Sequence, residues 1–484
     1  MIQAIVIFAL VLGVLIVVMA ARTVAFSSKQ MKVEPIGRDE VDAGAASGRL
    51  AGAIRFRTIS YQDPEKMEVE EFLGLHKYLE DNFPGVHREL KKEIVADYSL
   101  LYTWEGRETG LKPILLMSHI DVVPVEQGTE GDWEYPPFEG RVADGFVWGR
   151  GTMDVKSGVT GLLEAVEKLL GEGFRPRRTV YLAFGHDEEV GGGEGARAVA
   201  SLLKSRGVRL EYVIDEGGAV IEGAFPGIKA PIAFVGIAEK GYLSLELVVE
   251  GEGGHASTPP LNTAIGVLGR ALHRLERRQF PARLNGVEQT FRHLGPEMPP
   301  VLKVLAANRR LFSPLIKKLL SRKRETNAAI RTTIAPTMLE GSRKENVLPA
   351  KAKAVVNFRI LQGDTIDGVV AHVRRAIGDP RVKINVLKRT MDEPSPVSDV
   401  ESESFQMLQR IIQGVFPGVI VAPSTVLGAT DARHYAPVSD SVYRFIPERA
   451  GPDDLNRVHG TNERISVENH AEIVTFFMQV IRNS

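Results

Sequence analysis

The sequence predicts an α/β protein: a mainly parallel-sheet domain, interrupted by a smaller α+β domain and preceded by one transmembrane helix. Three observations lead there. Short apolar runs alternate with helix-period stretches over most of the chain. The pattern changes to strand alternation near Glu239 and changes back after Pro394. Residues 1–21 carry no charged side chain. The expected boundaries are 1–21 for the apolar segment, 22–45 for a polar linker, 46–238 and 395–484 for the two parts of the main domain, and 239–394 for the insertion.

About 20 apolar residues cross a bilayer as a helix, and residues 1–21 meet that length. Ala20 and Ala21 also suit a signal-peptide cleavage site, but such a peptide usually has a shorter apolar core and a basic start. No Lys or Arg precedes this run. A single-pass membrane anchor is therefore expected, and cleavage would instead leave a secreted protein. Arg22, Lys29 and Lys32 place the following flank in the cytoplasm by the positive-inside rule. Glu34, Asp39 and Glu40 follow closely, so sidedness stays open.

In the main domain, residues 113–117, 179–184 and 210–214 are apolar runs of strand length, and 419–421 adds another after the insertion. Between the first two, Val159, Leu162, Leu163, Val166, Leu169 and Leu170 share one helix face. A helix joining two strands in this way gives a parallel pair. In the insertion, residues 243–249, 330–334 and 352–359 alternate, and Ala264–Arg277 and Ile366–Ile377 have helical periodicity. Strand, helix, strand, strand, helix, strand makes a small sandwich. Residues 282–327 are additional. Leu311, Phe312, Leu315, Ile316, Leu319 and Leu320 stand there among Lys317, Lys318, Arg322 and Arg324. Two readings are open: an amphipathic helix packed on its own domain, or a helix facing a membrane.

The chain has 484 residues, 44% hydrophobic and 25% charged, enough for more than one core. A net charge of −1 provides no basic field for nucleic acid. Cysteine is absent, which excludes disulfides, thiolate metal sites and a cysteine nucleophile. Acidic and histidine residues cluster just beyond the strand runs. His119 and Asp121 follow the first, Asp187, Glu188 and Glu189 the second, and Asp215 the third; Asp154 closes a Gly149-Arg150-Gly151 turn. Ligands gather at the carboxyl ends of such strands, and carboxylates converging there repel unless a cation neutralises them. Imidazole and carboxylate donors suit zinc or a similar divalent ion. Asp121, two residues from His119, shares its strand face and can orient its ring. His459 lies in a late loop and offers an imidazole to a second ion.

Other chemistries fit poorly. No Gly-x-Ser-x-Gly elbow occurs, and residues 151–157 lack the glycine that precedes lysine in a phosphate loop. Gly193-Glu194-Gly195 relaxes toward a dinucleotide turn, with Asp215 placed 22 positions beyond Gly193. Glu188, Glu189 and Glu194 would oppose a pyrophosphate there. The alternative is that these glycines let the backbone pass close to a metal centre.

Ser118-His119-Ile120-Asp121-Val122-Val123-Pro124, Gly149-Arg150-Gly151-Thr152-Met153-Asp154-Val155-Lys156 and Asp187-Glu188-Glu189 resemble the dizinc aminoacylase/carboxypeptidase family. Gly254-His255-Ala256-Ser257 and His459-Gly460 fall in that family's order, and the resemblance extends from about residue 45 to the C-terminus. The basic segment, Ile330-Arg331-Thr332-Thr333 and Thr430-Asp431-Ala432-Arg433-His434-Tyr435 look closest to the branch of N-fatty-acyl-amino-acid synthase/hydrolase and carboxypeptidase S.

The resemblance implies a dizinc catalytic domain with an inserted lid domain that forms a homodimer. It implies that Asp154 bridges two zinc ions, that His119 and Asp215 complete one shell, and that Glu189 and His459 complete the other. Glu188 would be the general base, with Asp121 and His255 completing the catalytic group. His255 would act in the partner subunit's site. Asn346 and Arg359 would bind substrate, and Arg433 would hold its carboxylate. The implied reaction is hydrolysis, and by reversal formation, of the amide bond of N-fatty-acyl amino acids. A peptidase acting on short peptides is the alternative in the same class. An inactive membrane-bound binding protein is the alternative of another class, opposed by the complete ligand set and by Glu188.

Overall fold

The computed structural model describes residues 1–37, 41–451 and 454–484; Asp39 and Glu40, named above in the N-terminal flank, lie outside the described residues. A ten-stranded sheet forms the main domain. Across its centre run Val180–Gly185, Ile114–His119, Val213–Asp215 and Val442–Arg444, each parallel to the next. The expected helix between the first two strands in sequence is Lys156–Gly171, with Leu162, Leu163 and Val166 fully buried. It packs beside the C-terminal helix Val467–Arg482.

The sheet is mixed rather than mainly parallel. Lys91–Val95 and Ser99–Trp104 form an antiparallel hairpin on one flank. Ala96 and Asp97 turn it with φ of 48° and 68°, so the chain reverses without a crossover helix. On the other flank Ile232–Glu239 meets Val442–Arg444 antiparallel and Ile420–Val426 parallel.

The inserted domain is a separate four-stranded antiparallel sheet in the order Thr333–Glu340, Lys351–Ile360, Gly241–Glu250, Val382–Asp392. Helices Ala264–Arg277 and Ile366–Ile377 cover its inner face. Ala352, Ala354, Val356, Phe358 and Ile360 are buried, and the residues between them are not, which is the period-two pattern of a half-covered sheet.

Residues 282–327 depart from expectation. Proline interrupts them into short helices, Glu288–Leu294, Pro300–Ala307 and Ser313–Leu320, with Arg324–Ala329 behind. They pack on the main sheet as well as on their own domain: Leu294, Met298 and Ala306 cluster with Ile228, Ile232, Ile420 and Ala422, while Arg283 pairs with Asp364 at 2.6 Å and Asn285 donates to the Gln362 carbonyl at 3.0 Å.

The apolar N-terminal segment is one helix, Ile2–Ala25, with no residue buried in its most apolar stretch. It is long and apolar enough to cross a membrane; a signal sequence meets the same measure. The chain beyond it is not a free linker. The Gln30 side chain donates to the Val421 carbonyl at 3.1 Å and accepts from its N–H at 2.8 Å. Met31 N–H donates to Gln413 and Ile36 N–H to the Gly414 carbonyl. These bonds strap residues 30–36 to the main domain.

Candidate metal centre and active-site cleft

Parallel register brings the carboxyl ends of three central strands level. His119 pairs with Gly185, and the loop beyond Gly185 carries Glu188 and Glu189. Beside it, Ile214 pairs with Leu116, so Asp215 and Glu216 emerge at the same edge. Asp154 enters from the turn before Lys156–Gly171, through a cis Asp154–Val155 peptide. His459 arrives from the loop ahead of the C-terminal helix with φ of 60°.

These groups converge as two clusters. His119 Nε2 lies 3.0 Å from one oxygen of Asp154, and His459 Nε2 lies 2.9 Å from the other. Glu189 stands 3.2 Å from His459. Potential ligand atoms of His119, Asp154 and Glu189 lie within 4.8 Å of one another, and so do those of His119, Glu188 and Glu216. Asp154 thus stands between two imidazoles.

The electrostatics follow from this crowding. Burial pushes the Glu188 and Glu216 carboxyls well above the usual range, with neighbouring carboxylates adding to the push. Burial acts the same way on Asp154, but its bonds to His119 and His459 outweigh it and hold it low. Those bonds, with Glu189, raise the His459 imidazole to about 10. Burial alone would lower His119, yet Asp121 and Asp154 carry it well above an ordinary imidazole. One oxygen of Glu189 is buried with no hydrogen-bond partner. An all-nitrogen-and-oxygen donor set, an orphaned carboxylate oxygen and unneutralised acids fit divalent cations of the zinc type.

Asp121 is fully buried. Its carboxylate accepts from Ser60 Oγ at 2.6 Å and from the backbone N–H groups of Glu188 and Glu189 at 3.2 and 3.1 Å. Its carboxylate and its carbonyl both face His119 Nδ1, at 3.4 and 3.0 Å. It therefore fixes the ring and the glutamate loop together. Asp187 turns away from the centre. It accepts from Glu194 and Gly195 N–H at 2.8 and 2.9 Å, and a Cβ at Gly195 would come within 2.6 Å of its oxygen. The amides of the glycine turn are already taken, which removes the dinucleotide reading.

Asp215 is placed differently from the expectation. Its side chain accepts from Ala432 N–H at 2.7 Å, whereas the next residue, Glu216, is the one grouped with His119 and Glu188. Successive side chains leaving a strand point to opposite sides, and that alternation selects Glu216. Glu463 is a second residue that motif reading passes over. One of its oxygens accepts from Gly151, Met153 and Asp154 N–H at 3.0, 2.8 and 3.1 Å, and the other pairs with buried Arg150. Standing four residues after His459, it ties the His459 loop to the Asp154 turn. A Glu four residues behind His459 was the only signal in the sequence.

The centre opens into a cleft of about 640 Å³ that is also lined by the inserted domain. Arg359 reaches it from that domain with its guanidinium 4.6 Å from the Tyr242 ring centroid, and Asp392 stands nearby. Arg433 lines it from the main domain, donating to the Gly191 carbonyl at 2.6 Å and standing 3.8 Å from Asp392. His255 and Asn346 do not line this cleft. Both are exposed on a short ribbon, Gly254–His255 against Val347–Leu348, where His255 Nδ1 lies 2.7 Å from Ser257 Oγ.

A mixed α/β sheet with an inserted antiparallel domain over converging His, Asp and Glu side chains defines a metallohydrolase. The model of the family described as Peptidase family M20/M25/M40 matches residues 115–483, and the chain belongs to that family. Members typically bind two metal ions. A probable carboxypeptidase S-like 2 of Dictyostelium discoideum is 40% identical over 98% of this chain and 93% of that relative. The human N-fatty-acyl-amino acid synthase/hydrolase PM20D1 is also 40% identical, over 90% of this chain and 87% of its own length. Among solved structures, the M20 metallo-carboxypeptidase Sso-CP2 of Sulfolobus solfataricus shares the fold with a TM-score of 0.67 at 16% identity, covering 90% of this chain and 98% of that one.

Two predictions follow from the geometry. Glu216→Gln is expected to lose one ion per chain, while Asp215→Asn keeps both; elemental analysis of the purified variants distinguishes them, and the reverse result restores Asp215 as the ligand. The second concerns metal-stripped protein. Glu188, Glu216, His119 and His459 all bind their protons more tightly folded than unfolded. At these four groups the folded state holds more protons, so their contribution to stability falls as pH rises from the unfolded carboxylate range of about 4.5 through the folded His459 value of about 10, a fall that Lys156 and Lys240, lowered by burial to about 7, oppose in part. Chelator-treated protein should therefore melt higher at pH 6 than at pH 8.5, and zinc should remove that slope.

Proposed function

We propose that this enzyme hydrolyses, and by reversal forms, the amide bond between a long-chain acyl group and an amino acid with a free carboxylate. The observation that carries the reading is the placement of Arg359 and Arg433 in the same cleft as Glu188. Guanidinium groups pair with carboxylates through two parallel hydrogen bonds and set the orientation of an amino-acid product. The 40% identity to a protein named N-fatty-acyl-amino acid synthase/hydrolase supports the acyl half. A second reading, cleavage of short peptides with a free C-terminus, is favoured by the match to a carboxypeptidase S-like protein over 98% of this chain.

Two zinc ions per chain would be held by His119, Asp154, Glu189, His459 and Glu216, and when bound they supply the positive charge that activates water and polarises a carbonyl. Glu188 is the base. Its raised proton affinity suits a group that takes a proton from the attacking water and returns it to the leaving nitrogen. Asp121 keeps His119 and the Glu188 loop in register during that exchange. Arg433 and Arg359 grip the carboxylate, which fixes the scissile amide opposite Glu188. His255 and Asn346 complete the site from the partner subunit of a two-fold dimer, which accounts for their exposure on a ribbon outside their own chain's cleft. The helix Ile2–Ala25 is retained as a single-pass anchor.

A panel of substrates tests the reading. Hydrolysis of a long-chain N-acyl amino acid should exceed that of the N-acetyl analogue and of dipeptides, because each buried methylene is worth about 0.8 kcal/mol. Arg433→Ala should erase the preference for a free carboxylate over its amide. Fastest turnover of dipeptides with no effect of acyl length would install the peptidase reading instead. Subunit mixing tests the dimer. His255→Ala and Glu188→Gln should each be inactive, Glu188→Gln by roughly 10²–10⁴-fold as expected for loss of a general base. Hybrids formed after subunit exchange should regain activity at one of their two sites, and no recovery would place His255 in its own chain's chemistry.

A further inference from the structure

The helix Ser313–Leu320 has two apolar faces. Ile316 points inward and is 4% exposed, whereas Leu315 and Leu319, four residues apart, share an outward face at 44% and 39% exposure, and Leu311, in the turn just before the helix, extends the row at 45%. Residues 309–324 carry seven Lys and Arg and no Asp or Glu, and Arg310, Lys318, Arg322, Lys323 and Arg324 are exposed around the row. Val301 on the preceding helix is 75% exposed as well. A leucine row ringed by cations is the wrong surface for water and the right one for an anionic bilayer interface.

The N-terminal helix fixes the level of this row. Asn308 is buried and donates its side-chain amide to the Met19 carbonyl and to Thr23 Oγ1, each at 3.3 Å. Phe26, just past the helix end, packs against Gly295, where a Cβ would come within 2.7 Å of the ring. Met19 and Thr23 lie in the last two turns of Ile2–Ala25, where a span of about 20 residues leaves the hydrocarbon. With Ile2–Ala25 read as the anchor, Asn308 stands at the level of the membrane surface. The backbone N–H groups of Leu311 and Phe312 donate to its carbonyl at 2.9 and 3.1 Å, so the leucine row starts at that same level.

We propose that Leu311, Leu315 and Leu319 insert among the acyl chains of an anionic bilayer beside the anchor, with Lys318, Arg322 and Arg324 at its headgroups. The proposal rests on the anchor reading for the level of the row and goes beyond it in giving the body of the enzyme a second, fixed contact with the membrane. A helix and a row at its side hold the body in one orientation, which a lone tether does not.

The chain has no cysteine, so a single introduced one reports one position. The test uses the full chain in vesicles of phosphatidylcholine and phosphatidylglycerol containing a nitroxide lipid. Leu315→Cys, Leu10→Cys and Ile94→Cys each carry an environment-sensitive fluorophore; Ile94, 52% exposed on the far edge of the main sheet, is the water-exposed reference. The Leu315 probe should emit to the blue of the Ile94 probe and be quenched several-fold by the nitroxide, with the quenching reduced when phosphatidylglycerol is omitted. A Leu315 probe as wet as Ile94 overturns the proposal, and so does one shielded but unquenched, which would assign the row to a protein partner. The Leu10 probe reads the anchor separately: quenching there without quenching at Leu315 keeps the anchor and removes the second contact. Quenching at Leu315 alone keeps the second contact and removes the anchor.

Discussion

Carboxylates packed against one another at the end of a sheet are the constraint to which the rest of the protein answers. Asp154, Glu188, Glu189 and Glu216 crowd around His119 and His459, with potential ligand atoms within 4.8 Å inside each cluster. Such an arrangement is costly unless positive charge enters it. Its persistence depends on rigid supports. Parallel register of Ile114–His119 with its two neighbours delivers three of the participating loops at one level. Chain segments far apart in sequence then have to be fastened at that edge.

Two buried carboxylates do the fastening without belonging to either cluster. Asp121 joins His119 to the amides of Glu188 and Glu189. Glu463 joins the Asp154 turn to the His459 loop through three backbone N–H groups and Arg150. A carboxylate that accepts this many bonds is satisfied where it stands, and the loops it binds lose their freedom to spread under mutual repulsion. The inserted domain adds what the sheet edge lacks. Tyr242, Arg359 and Asp392 come to the cleft from its strands and face Arg433 on the other side. Two domains thus frame one cleft, and the relative position of Asp392 and Arg433 bears directly on the space open to a substrate carboxylate.

The chain just after the apolar helix and residues 282–327 follow a separate logic. Gln30 extends the hydrogen bonding of Val421, and Ile36 bonds to Gly414, so the chain leaving the apolar helix is laid on the main domain rather than strung as a tether. Prolines divide residues 282–327 into helices too short to be stable in water on their own, and the main sheet gives them the apolar surface they need.

By itself the sequence determined the two-domain alternation, the apolar N-terminal helix and the chemistry of the donor set. Apolar periodicity is local, and motifs such as Gly-Arg-Gly-Thr-Met-Asp carry their residue types with them. His119, Asp154, Glu188, Glu189 and His459 were legible in that way, and these are the groups the fold brings together. Tertiary structure decided the rest. Whether Asp215 or Glu216 faces the cluster depends on which way a side chain leaves its strand, and neighbouring acids are indistinguishable in sequence. Mixed pairing at the sheet flanks depends on strands finding partners remote in the chain. The same holds for Glu463, whose partners lie about 310 residues away, and for His255 and Asn346, whose absence from their own cleft is a fact of three-dimensional placement that no local pattern encodes.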